Sequence, residues 1–390
     1  MSNEVKIVTA KIPVKPLFRQ QNSPERERDD GGRKRISIKA EPMTHTTRPT
    51  PAEIRAFRAE NPKMRERDIA AQLGISEAAL VAAEVGLTAV RIDGSANRFL
   101  ERAEALGEIM ALTRNESVVH EKIGVFEKIN TGKHASIVLG ENIDLRIFPG
   151  TWAHGFAVTK TDGDQVRRSL QFFDKAGMAV HKVHLRPASN LEAYEAIVAD
   201  FRLEDQSQDF VEIISEKTDD TGPVDVAALR ENWAAMTDTH QFFGMLKKLK
   251  IGRQDAVRSV GEDFAHEVRA DAVGDLMRSA AERDADIMCF VGNNGTIQIH
   301  TGPVKNIQPM GPWLNVMDPT FHMHLRMDHI AECWVVKKPT VDGHVTSLEA
   351  YDASGEMIIQ FFGKRKEGMV ERADWREILE SLPRPDSVAA

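Results

Sequence analysis

The segment SLQFFDKAG (Ser169–Gly177) returns 178 positions later as SLEAYDASG (Ser347–Gly355), with Ser, Leu, Asp and Gly kept. Each copy reads as a strand that ends in an Asp-x-x-Gly turn and leads into another apolar strand, a hairpin signature. A duplication of this kind decides the fold, because the chain is then one unit built twice. Upstream at the same spacing, WAHGFAVTK (Trp152–Lys160) meets IAECWVVKK (Ile330–Lys338), and both are alternating or β-branched runs that predict strands. Further upstream, AAQLGISEAALVAA (Ala70–Ala83) resembles KKLKIGRQDAVRSV (Lys247–Val260), each with helical spacing and a central break. Downstream, LEAYEAIVADF (Leu191–Phe201) and RADWREILESL (Arg372–Leu382) are amphipathic helices with an aromatic on the apolar face. Helices, then strands, then a helix is an α+β order. The expected architecture is a tandem duplication of a module with a large antiparallel sheet and flanking helices.

At 390 residues the chain is long enough for two cores of roughly 150 residues each. The expected division is a tail over 1–42, a first module over 43–220 and a second over 221–390. No apolar run approaches the roughly 20 residues needed to cross a bilayer. The net charge of -8 is unevenly spread, since residues 1–42 hold ten Lys/Arg against six Asp/Glu and leave the remainder near -12. That tail, with NSPERERDDGGRKR (Asn22–Arg35), has no hydrophobic periodicity and is expected to be disordered. The acidic body is a poor partner for phosphate backbones. Cys289 and Cys333 form no disulfide framework or CxxC motif, which suits a reducing compartment, and the expected location is the cytoplasm.

Projecting the spacing of 178 onto MAVHKVHL (Met178–Leu185) gives EMIIQFFG (Glu356–Gly363), so Ile359 stands opposite His181 and Phe362 opposite His184. A histidine where the other copy has isoleucine points at an interior or a cleft, where a neutral imidazole must find a partner. One reading is a core histidine bonded to a backbone carbonyl, and the other is an iron or zinc ligand. Zinc calls for three or four ligands, and neither His181 with His184 nor His322 with His324 is completed by an HExxH or CxxC. Haem asks for a single axial base, because the porphyrin supplies four nitrogens. A cleft between two packed modules is a natural place for a flat ligand.

Seven blocks carry a resemblance to a family: ERDIAAQLGISEAAL (Glu66–Leu80), TRNESVVHEKIG (Thr113–Gly124), SLQFFDKAGMAVHKVHL (Ser169–Leu185), MTDTHQFFGMLKK (Met236–Lys248), FVGNNGTIQIHTGPV (Phe290–Val304), LNVMDPTFHMHLR (Leu314–Arg326) and VKKPTVDGHVTSLEAYDASGEMIIQFFGKRKEG (Val336–Gly368). In this order they resemble the HemS/HmuS/ChuS cytoplasmic haemin-utilisation proteins, across nearly all of residues 50–382. The resemblance implies haem in a cleft between the halves, with His181 as the proximal ligand. It implies a distal arginine in the RID context, which falls on Arg91, and propionate contacts from the second module at Gln298 and His300. His300 stands where an aromatic hydroxyl is common and Pro303 where an arginine is common, so Arg278 is the candidate for the missing charge. His184 stands where Tyr or Phe is usual.

With His181 on the iron and Arg91 facing the sixth position, a guanidinium would stabilise charge on bound oxygen. That implies oxidative haem degradation with electrons from outside, since no GxGxxG is present. The alternative is a pure carrier that delivers haem to a separate oxygenase, and the partners implied are a haem ABC transporter and an oxygenase or reductase. A third class, a helix-turn-helix regulator, is suggested by DIAAQLGISEAAL (Asp68–Leu80) alone. It is opposed by the acidic body and by a second copy without the same turn.

Overall fold

The computed structural model describes residues 48–214, 222–365 and 369–385, so the basic tail lies outside the described residues. The first module opens with three helices, α1 (Pro51–Glu60), α2 (Glu66–Leu73) and α3 (Glu77–Ala82), then β1 (Ala89–Asp93) and α4 (Ala96–Ala103). Eight strands follow: β2 (Gly107–Arg114), β3 (Val118–Gly124), β4 (Ile129–Asn130), β5 (Ser136–Leu139), β6 (Asp144–Ile147), β7 (His154–Asp162), β8 (Gln165–Phe173) and β9 (Ala179–Ser189). The module closes with α5 (Leu191–Phe201).

The second module repeats that order. It runs α6 (Val226–Ala234), α7 (Gln241–Leu249), α8 (Arg253–Ser259), β10 (Ala265–Val268) and α9 (Ala272–Glu282). Its strands are β11 (Ile287–Gly292), β12 (Thr296–Gly302), β13 (Ile307–Met310), β14 (Trp313–Met317), β15 (Phe321–Arg326), β16 (Glu332–Thr340), β17 (Gly343–Tyr351) and β18 (Met357–Gly363), followed by α10 (Ala373–Glu380). The duplicated α+β reading holds element for element.

The two sheets are composite. The first is ordered β1-β7-β8-β9-β2-β3-β15-β14-β13 and the second β10-β16-β17-β18-β11-β12-β6-β5-β4. Each module therefore lends three strands to the sheet of the other. Across that seam β3 pairs with β15 and β12 with β6, both antiparallel. The inner faces meet around β2, β3, β11 and β12. One core joins Leu145 and Ile147 of β6 to Ala111, Phe172 and Val183 of the first sheet, under α4 and α5. The other joins Phe321 and Met323 of β15 to Cys289, Val291 and Phe361 of the second, under α9 and α10.

Both Asp-x-x-Gly turns form as expected. Gly177 (φ 79°) and Gly355 (φ 84°) take the left-handed conformation that glycine adopts at no steric cost. Two aspargine side chains pin the modules together about the same pseudo-twofold axis. Asn115 Nδ2 donates to Ile358 O at 2.8 Å, and its repeat mate Asn293 Nδ2 donates to Arg114 O and Val180 O at 2.9 and 3.1 Å.

One expectation is corrected here. The helix-break-helix is present in both copies, because Gly74 ends α2 and Lys250 ends α7 in the same left-handed conformation. A non-glycine residue thus makes the same turn in the second copy. All six residues of α3 are buried, so no face of that helix is free to enter a groove of DNA.

Candidate functional site

β9 alternates, and its register sorts its histidines to opposite faces. His181 lies across from Phe172, facing inward, whereas Lys182 lies across from Gln171 and Leu112, facing outward. His184, two residues on, shares the outer face, where its partners are Ser169 and Met110.

His181 is 1% exposed and sits against the rings of Trp152 and Phe126, with centroids at 5.8 and 6.4 Å. Trp152 is fixed from the other module, since its Nε1 donates to Gly295 O at 3.0 Å. A Cβ on Gly295 would stand 2.7 Å from Val180 Cβ, so only glycine permits this approach beside His181. A cleft of about 340 Å³ on the pseudo-twofold reaches Val180, the neighbour of His181, and is also lined by Arg114, Asn293 and Ile358.

The polar partners of His181 come from two strands. Gln298 on β12 donates from Nε2 to Ala111 O at 2.9 Å and His120 O at 3.2 Å, which turns its Oε1 toward Thr113. The Thr113 hydroxyl donates to that oxygen at 2.9 Å. Its own oxygen then accepts from His181 Nδ1, also at 2.9 Å. The proton is accounted for on Nδ1, so Nε2 carries the lone pair, and it is buried with no hydrogen-bond partner. Burial, then the neighbouring His184, lowers the imidazole to about 3, so it is neutral at physiological pH. A buried acceptor left unused is uncommon in a folded protein, and a neutral imidazole with a free Nε2 is what an axial iron ligand requires. The residues present therefore fit a haem iron at this atom.

A second polar group lies between the sheets. His300 stacks on Phe321 at 3.9 Å between centroids and accepts from Lys122 Nζ at its Nδ1, at 3.2 Å. Burial, then Lys122, lowers His300 to about 3, and burial lowers Lys122 to about 8. His120, across β2 from His181, is fully buried with neither ring nitrogen in a hydrogen bond. Burial and the neighbouring His300 and Lys122 hold it well below its ordinary value.

The structure brings His181, Gln298 and His300 to one interior and leaves Arg91 and Arg278 outside it. Arg91 pairs across with Phe156, Gln171 and Lys182 in turn, which places it on the outer face of the first sheet, opposite His181. Its guanidinium donates to Ser207 O at 2.8 Å and to Asp209 O, and lies over the rings of Phe156 and Phe210. Arg278 is exposed on α9, folded over Gly274 and paired with Asp275 of its own helix. On β15, His322 meets Glu121 and His324 meets Asn315. Among the described residues no group of three His, Cys, Asp or Glu is placed to hold a metal ion.

Thr113, His120 and Lys122 were not singled out by the sequence reading. Projecting the spacing of 178 back from Gln298 and His300 lands on His120 and Lys122, which is the signal that points to them. Thr113 is found only once β2 is seen beside β9.

Comparison with known proteins places the chain. The haemin-degrading HemS.ChuX domain matches residues 74–201 and again 250–382. The hemin transport protein HmuS of Yersinia pestis is 39% identical over 85% of this chain and 96% of its own. The crystal structure of holo-PhuS, a heme-binding protein from Pseudomonas aeruginosa, superposes with a TM-score of 0.83 at 43% identity, covering 86% of this chain and 100% of that one. ChuS, described as an E. coli heme oxygenase, does so with a TM-score of 0.77 at 38% identity, covering 83% of this chain and 98% of that one. The chain belongs to the HemS/ChuX haemin-degrading family and carries its domain twice.

Proposed function

We propose that this chain takes haem as its ligand in haem-iron uptake and holds the iron through His181 Nε2. The observation that carries this reading is a buried Nε2 with no hydrogen-bond partner in a wall of aromatic rings. The iron, when bound, supplies the redox chemistry, and the chain's own residues supply a neutral base, an apolar wall and exclusion of water. Haem reaches the protein from a membrane transporter and leaves it as haem or as its opened product, in the cytoplasm. Among the described residues no helix is long and apolar enough to cross a membrane.

Haemin titrated into the purified protein is expected to give a histidine-ligated Soret band that His181→Ala loses or shifts. An unchanged spectrum in that variant would remove His181 from the iron.

Oxidative opening of haem is supported by the description of ChuS as a heme oxygenase. Delivery is supported by the place of Arg91, whose guanidinium serves the 207–209 backbone on the outer face rather than the side of His181. Anaerobic loading with haemin, followed by ascorbate and oxygen, separates the two. Loss of the Soret band with release of iron marks degradation, and a persistent band that transfers to an added haem acceptor marks a carrier.

A further inference from the structure

We infer that Thr113 and Gln298 are positioning residues that fix the tautomer of His181, so that the second module sets the iron-binding nitrogen of the first. This rests on the haem reading above for its consequence, and on hydrogen-bond geometry alone for its cause. Gln298 has its amide turned one way by two backbone carbonyls, Ala111 O and His120 O. An acceptor oxygen is thereby presented to Thr113, whose single hydroxyl proton goes to it. A threonine that has given its proton away can meet Nδ1 only as an acceptor, and Nδ1 must then be the protonated nitrogen. Each link removes an alternative, and Nε2 is left with its lone pair. The tautomer of a ligating imidazole is set by the hydrogen bond of its other nitrogen, and here that bond is held by a residue 185 positions away in the sequence from Thr113.

The molecule contains its own control. At the spacing of 178 the mates of His181, Thr113 and Gln298 are Ile359, Val291 and His120. In the mirrored half the hydroxyl and the imidazole are both replaced by apolar side chains. The residue that occupies the place of Gln298 there, His120, has both ring nitrogens without a hydrogen bond. The chain of bonds is thus built once, on the side of the sheet that carries His181.

Thr113→Val keeps the shape and removes the hydroxyl, Gln298→Leu removes the acceptor, and Thr113→Ser keeps the whole chain of bonds. Long-range ¹⁵N–¹H spectra of haem-free, ¹⁵N-histidine-labelled protein are expected to show His181 protonated at Nδ1 in the parent and in Thr113→Ser. Thr113→Val and Gln298→Leu are expected to lose that preference and to bind haemin about 10–100-fold more weakly, with Thr113→Ser restoring affinity. An Nε2-protonated His181 in the parent, or an unaltered tautomer in Thr113→Val, overturns the inference. If the tautomer shifts as expected while haemin affinity stays the same in these variants and in His181→Ala, the chain of bonds stands and the assignment of His181 to the iron falls.

Discussion

At the scale of single residues, burial keeps the imidazoles of His120, His181 and His300 neutral in the interior. An unfolded histidine takes a proton near pH 6.5, whereas His181 and His300 refuse one until about 3. Between those values the unfolded chain binds more protons, so stability falls as pH drops from about 6.5 toward 3, at about 1.4 kcal/mol per pH unit for each full proton. Urea midpoints of the haem-free protein are expected to decline through that window, and less steeply in His300→Gln. A slope indifferent to that substitution would contradict the burial argument. The outer face of the second sheet holds a different kind of residue. Glu349 is fully buried and receives Arg253 Nε at 2.9 Å, Lys338 Nζ at 2.6 Å and Gln360 Nε2 at 2.7 Å. Burial alone would raise its carboxyl, but Arg253 and Lys338 outweigh that and hold it well below its ordinary range. Glu349→Gln leaves the buried Lys338 and the partly buried Arg253 without their counter-charge and is expected to destabilise the fold by about 3–5 kcal/mol, measured by urea denaturation.

At the scale of elements, the hairpins β8–β9 and β17–β18 were readable in the sequence because an Asp-x-x-Gly turn and its flanking alternation are local. The helices before them were equally readable, down to the break at Gly74. The turn at Lys250 was not, since nothing in a lysine announces a left-handed residue and tertiary packing imposes it. His181 was readable as the odd residue in a duplicated strand, while its partners were not, because Thr113 and Gln298 meet it only through strand neighbours and sheet packing. Gly295 gives an element-level test. Alanine there drives a Cβ to 2.7 Å from Val180, displacing the β11–β12 turn from the start of β9. Such overpacking costs about 1–3 kcal/mol. Gly295→Ala is expected to lower the urea midpoint and weaken haemin binding together, whereas Gly163→Ala, in an open turn with nothing within 4 Å, is expected to leave haemin binding unaltered.

At the scale of the whole molecule, the sequence announced two copies and concealed how they interlock. A strand such as β3 has two candidates of like pattern to pair with, β6 and its copy β15, and local sequence does not choose between them. The choice of β15 follows from closing both sheets at once. Because each half owns only part of its sheet, residues 48–214 and 222–385 expressed apart are expected to be poorly folded, and to recover haemin binding when mixed. Folding of either half alone to a stable monomer would contradict the shared sheets.

That exchange of strands also bears on how such a protein can diverge. A lone module that lends three strands and must borrow three would need a second identical copy, and every change in its sequence would then appear on both sides of the axis. Its folding would depend on concentration as well. Joining the copies in one chain removes both constraints. One side is free to gain His181 and Thr113 while the other takes Ile359 and Val291, and His120 with Gln298 shows the same axis position resolved in two ways. Asymmetry at a single buried histidine is open to a covalent pair and closed to a true dimer.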